Sequence, residues 1–130
     1  MKKDNNGFTL EKEIFQAGVW NGEKYTEKDL DDIVASFNEL KVKRDVPLKL
    51  GHTDDQKILQ REGLAAAGWV TALKKVGSKL IAKFENIPKQ IKNLIEQKLY
   101  KNVSCELWFD YVDKNTGKKY PKILSAVALL

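Results

Sequence analysis

With one cysteine, Cys105, the chain of 130 residues can form no internal disulfide, and such sparing thiol use fits a reducing cytoplasm. Histidine is equally scarce, so any imidazole chemistry rests on His52 alone. No apolar run approaches the ~20 residues that a membrane span needs, and no membrane partner is expected. The opening MKKDNNG is basic but leads into no apolar core segment of the kind a secretory signal carries. A Gly-rich phosphate loop, a GxSxG elbow and an HExxH helix are all missing. HTDD at 52–55 has too few ligands at helical or turn spacing for zinc or calcium. The reading therefore contains no cofactor and no metal. Single-sign charge is also lacking: 23 basic and 18 acidic residues leave +5, mixed along the chain, with KVKR at 41–44 the one local basic run. Nor do aromatic and basic residues interleave on one strand, so nucleic acid is not the expected partner.

What is present is a globular composition, 42% hydrophobic and 32% charged, in a length suited to one domain with a substantial core. Residues 1–7 read as a mobile tail and 8–130 as the folded domain. Phe8–Trp20 has β character, and Asn21-Gly22 suits a tight turn. Thr26 with Asp29 approximates a capping box for a helix over 27–39, whose stripe is Leu30, Ile33, Val34, Phe37 and Leu40. Asp45–His52 alternates, placing Val46, Leu48, Leu50 and His52 on one face, and Pro47 suggests an edge or a strand start. Residues 53–63 read as a polar excursion. Strands follow at 65–76 and 80–85, then a second helix from Pro88 to about residue 97. The Ser104 strand, a turn at 113–119 and a strand over 120–130 close the chain. Six or seven strands with hairpin connections and two helices predict an α+β fold, a mainly antiparallel sheet or barrel with flanking helices. The apolar ending ILSAVALL suggests a fragment of a longer chain.

The stretch Lys101–Tyr111, KNVSCELWFDY, carries the chemistry. A period of two puts Val103, Cys105, Leu107, Phe109 and Tyr111 on one face, with Ser104, Glu106, Trp108 and Asp110 on the other. Serine is a weak nucleophile until a base takes its proton, and histidine titrates in the right range. Ser104 as nucleophile and His52 as base is thus one reading, and it depends on the fold. The plainer reading makes Ser104 a solvated strand hydroxyl, Glu106 a surface carboxylate and His52 a packing residue. Cys105, flanked on its face by Val103 and Leu107, reads as a buried apolar residue. The tryptophans 20, 69 and 108 read as core and rim aromatics.

Several segments together resemble the Mu-like family of phage prohead (head-maturation) proteases. They are WNGEKYTEKDLDDIVASFNEL at 20–40, VPLKLGHTDD at 46–55, AAGWVTAL at 66–73, KNVSCELWF at 101–109 and the terminal KYPKILSAVALL. The resemblance implies a herpesvirus assemblin-like fold, a β-barrel wrapped by helices, with a serine and a histidine on neighbouring strands. By position these are Ser104, in the S-x-E motif, and His52, in the G-H motif. Related enzymes place a carboxylate on the last strand, where this chain has Ala126. Glu106 is the motif carboxylate nearest the serine; Asp54, Asp55 and Asp110 are the other orienting candidates, and a Ser104–His52 dyad stays open. For the oxyanion donors only Arg44 and Arg61 are available.

The implied activity is that of a serine endopeptidase of capsid maturation. It would act inside the procapsid, in the cytoplasm of the bacterial host, on scaffold and major capsid proteins and on itself. The substrate strand would pair with an exposed barrel edge, and a homo-oligomer is compatible with the reading. The rival readings are a non-catalytic capsid-assembly or scaffold module with the same fold, and a basic nucleic-acid-binding barrel.

Overall fold

The computed structural model describes residues 1–4 and 6–130. Its centre is a mostly antiparallel sheet of seven strands. In chain order these are β1 (Lys2–Asp4), β2 (Gly7–Gln16), β5 (Val46–Leu50), β6 (Gly68–Val76), β7 (Lys79–Ile87), β8 (Val103–Val112) and β9 (Lys119–Leu129). The spatial order is β1-β2-β7-β6-β5-β9-β8, and β3 (Gly18–Trp20) with β4 (Glu23–Tyr25) makes a separate hairpin. The fold is α+β, with three helices: α1 (Glu27–Leu40), α2 (Lys57–Arg61) and α3 (Lys89–Glu96).

Local chemistry accounts for most of these elements. Asn21 and Gly22, both at positive φ (53° and 80°), turn the β3–β4 hairpin. At the start of α1 the Thr26 hydroxyl accepts from Asp29 N, and Thr26 N donates to the Asp29 carboxylate, so two orphan donors are satisfied reciprocally. Leu30, Ile33, Phe37 and Leu40 form the buried stripe of that helix, which packs on β9 and β6. The main core gathers Leu30, Ile33 and Phe37 with Leu48, Leu73, Leu80, Phe84 and Val127.

The sheet curls so that its flanks meet. β2 contacts β8, yet no hydrogen-bonded ladder joins them, and the free edge of β8 faces the β2 residues that β1 leaves uncovered. A cleft of about 710 Å³ lies along this seam, lined by Phe15, Trp20, Tyr25, Cys105, Leu107 and Phe109 among others.

Four expectations need correction. Where a tail was expected over 1–7, Lys2–Asp4 pair with Gly7–Thr9 as a short edge strand; residue 5 lies outside the described residues. The polar excursion contains α2, whose Leu59 is 2% exposed; five residues are too few to display helical periodicity. Among the described residues that makes three helices rather than two. Of the two places expected for Pro47, the edge fails, because β5 lies between β6 and β9, and the strand start holds. Pro47 is the second residue of its strand, and β9 pairing begins only at Leu48, so its missing N–H breaks no ladder bond there. Tyr111 does not stay with Phe109: Asp110 has φ 54°, and the Tyr111 ring stacks on Trp108 at 6.0 Å.

Candidate functional site

Ser104 and Glu106 sit on β8 opposite Ala128 and Ala126 of β9. On the far side of β9, Lys49 of β5 is the neighbour of Ala128. Alternation therefore puts Ser104, Glu106, Ala126, Ala128 and Lys49 on one face, while Val103, Cys105 and Leu107 turn to the core. The alanines are what let the longer side chains meet across three strands. β8 and β9 slip register between Glu106 and Leu107, with Ser125 as the extra residue of a bulge. Its hydroxyl donates to the Glu106 carbonyl at 3.0 Å.

His52 reaches this face by a route that strand periodicity does not predict. β5 ends at Leu50, and Gly51 adopts φ 75°, so the chain leaves the strand and His52 crosses from the core-facing side of Leu48 to the side of Lys49. Gly51 N still donates to Leu129 O at 2.8 Å. Gln56 then clamps the turn: its carbonyl oxygen accepts from Leu50 N at 2.8 Å, and its amide donates to Leu50 O at 3.1 Å and Thr53 O at 2.8 Å. The expectation that His52 ends the strand beside Leu50 is corrected by this glycine turn.

The result is a close contact, His52 Nδ1 to Glu106 Oε2 at 2.9 Å. An ionised carboxylate can only accept, so the hydrogen of this contact sits on Nδ1, and the tautomer it selects for a neutral ring has its lone pair on Nε2. Lys49 completes the group. Its ammonium donates to both Glu106 oxygens, at 3.3 and 3.2 Å, and to the His52 carbonyl at 3.1 Å, with Asp54 at 3.7 Å. Ser104 stands about 7 Å along the strand from Glu106. Among the described residues no hydrogen bond joins its hydroxyl to the His52 ring. The ring is 45% exposed, and catalytic hydrogen bonds are often long or unformed until substrate is bound.

The other candidates fall elsewhere. The Asp54 side chain is fully exposed beside Lys49, Asp55 lies 3.8 Å from Lys57, and Asp110 lies 3.5 Å from Lys119. None of the three bonds the ring. Burial pushes the Cys105 thiol up to about 12, so it stays protonated at neutral pH. Arg44 donates to Leu124 O at 2.9 Å and Ser125 O at 3.4 Å and stacks over Trp108 at 4.9 Å. Its burial lowers its affinity for a proton. With Lys49, Glu106, Trp108 and Ala126 it lines a second cleft of about 390 Å³. Arg61, in the last turn of α2, is exposed.

Sequence reasoning passed over Lys49, Gly51 and Gln56. The LKLGH run did hold a signal: a lysine at a paired strand position, then a glycine before the sole histidine. Compared with family models, curated proteins and solved structures, the chain matches none.

Proposed function

We propose that the protein is a serine endopeptidase of the phage prohead-protease type, built on an assemblin-like barrel. Ser104 is the nucleophile, His52 the general base, and Glu106 the carboxylate that orients the imidazole. The observation that carries this reading is the 2.9 Å contact of His52 Nδ1 with Glu106, two residues from a serine on the same strand face. In the proposed reaction Ser104 Oγ attacks the peptide carbonyl while His52 Nε2 takes its proton. The imidazolium formed is stabilised by Glu106 and then gives that proton to the leaving amine. Water repeats the cycle on the acyl-enzyme. The free edge of β8 offers backbone groups to an extended substrate, and the seam beside it has aromatic walls for substrate side chains. The substrates would be segments of scaffold and major capsid proteins, and of the protease itself, within the procapsid in the host cytoplasm.

The test is cleavage of a scaffold-derived peptide by the wild type and by Ser104→Ala. The variant should lose about three orders of magnitude or more in kcat; equal cleavage by both removes Ser104 as nucleophile. A non-catalytic capsid-assembly module with the same fold is the second reading, favoured by the missing Ser104–His52 hydrogen bond. It requires that the wild type bind the scaffold peptide without turning it over.

A further inference from the structure

Lys49 is a lysine where a lysine is costly. Its side chain is 13% exposed, against 27% for Glu106 and 45% for His52, so its ammonium is the most enclosed charge of the group. An ammonium removed from water needs each of its three donors satisfied. Here they are directed to the two Glu106 carboxylate oxygens and the His52 carbonyl, with the exposed Asp54 carboxylate adding only a looser charge contact at 3.7 Å. Those acceptors come from β8 and from the turn after β5, so one cation holds together the strand that carries the carboxylate and the loop that carries the imidazole.

The geometry points to Lys49 as the positioning residue of the His52–Glu106 pair: it anchors the Glu106 carboxylate and the His52 backbone together, so that Nδ1–H stays bound and Nε2 faces outward. This inference rests on the reading of His52 as a base, yet the positioning itself is measurable without any turnover. Two features favour positioning over a mere surface ion pair. The ammonium bonds the backbone of the very residue whose ring its carboxylate partner holds. A surface pair would moreover leave both side chains to solvent, where such contacts contribute little, whereas this stem lies against the strand beside Ala128. Once the ammonium is gone, Glu106 has lost one of its two partners and the turn has lost its tie to the sheet through the His52 carbonyl. Ring and carboxylate are then free to separate.

His52 is the sole histidine, so its two ring nitrogens can be read without assignment in a long-range nitrogen–proton NMR spectrum. Wild type should show the Nδ1–H form predominating in the neutral ring. Lys49→Met should move the ring toward a mixture of tautomers, as Glu106→Gln should, and the double variant should show no more than Glu106→Gln alone. Lys49→Arg, which keeps the charge and the donors, should restore most of the wild-type pattern. On a cleavable peptide Lys49→Met should lower kcat about 10- to 100-fold, the loss typical when an outer partner that orients a histidine is removed, and leave KM near wild type. Circular dichroism at the assay temperature verifies that each variant is folded. A Lys49→Met spectrum identical to wild type overturns the inference, as does failure of Lys49→Arg to restore the tautomer when Lys49→Met has lost it. If the tautomer responds as described while wild type cleaves nothing, the protease reading falls and the positioning role stands.

Discussion

The Ser125 hydroxyl donates to the Glu106 carbonyl across the register slip of β8 and β9, at 3.0 Å. Ser125 is buried, so the bond fixes the backbone of the residue that holds His52. Ser125→Ala leaves that carbonyl short of one partner and should cost about 1–2 kcal/mol of stability. Urea titration of the variant measures it. An unchanged midpoint would mean that the bulge is held by strand pairing alone.

Gly51 makes the second link. At φ 75° it has open space where a Cβ would stand, so Gly51→Ala meets no clash and its cost is purely conformational, about 1–2 kcal/mol. Any relief of that strain moves the chain back toward a β conformation and draws His52 toward the Leu48 side, away from Glu106. The variant should therefore lose cleavage by more than its stability loss explains, and the His52 ring signal should shift in its spectrum. Stability lost with an unmoved ring would mean that the turn is held by Gln56 rather than by Gly51.

The alternating faces of the Ser104 strand, the α1 stripe with its capping box and the Asn21-Gly22 hairpin were legible because each is a local pattern. His52 was legible as a residue but not as a position. The strand period carries it to the core side, and only the left-handed conformation of Gly51 reverses that. The LKLGH run marked Lys49 but not its role, because its partner Glu106 lies on β8 and nothing in the sequence reveals that β5 and β8 flank β9. Gln56 bonds only Leu50 and Thr53 nearby, yet a single glutamine in a polar turn carries no period. α2 stayed hidden in its polar surroundings, and β1 because three residues carry no period. On the last strand Ala126 sits opposite Glu106, and its methyl group leaves room where a second acid would crowd the first.

Glu106→Gln keeps the shape of the side chain but can present an amide N–H to His52 Nδ1, which favours the wrong tautomer. If Glu106 orients the base, kcat should fall by about 10³–10⁴ with KM little changed, as when the buried acid of a serine-protease triad becomes an amide. A loss of less than about tenfold would reduce the machinery to a Ser104–His52 dyad.

Acid should weaken the helix start. The hydrogen bond from Thr26 N, followed by those from Lys122 and Thr26 Oγ, holds the Asp29 carboxyl below the usual value. A lowered native value means that this contribution is complete above the unfolded value of about 3.9 and disappears as pH falls through the lowered one. Asp29→Asn should flatten the stability profile below about pH 4, and Thr26→Ala should cost about 0.5–2 kcal/mol at neutral pH. Urea midpoints between acid and neutral pH measure both, and an Asp29→Asn profile parallel to wild type would assign the acid sensitivity to other carboxylates. Asp29 also lies 3.3 Å from Lys122 on β9, so the same titration weakens the seat of α1 on the sheet.

Cys105 offers the sharpest control on the nucleophile, because it is Ser104's neighbour in sequence and faces the opposite way. A thiol pushed up to about 12 by burial is protonated throughout the range in which His52 could serve as a base, and a protonated thiol is a poor nucleophile. Alkylation by iodoacetamide at pH 8 should therefore be slow in the native protein and become rapid in urea. Cys105→Ala should keep the peptide cleavage that Ser104→Ala loses. The opposite pair of results would put the reacting atom on the core side of β8, turned away from the face that carries the His52–Glu106 contact.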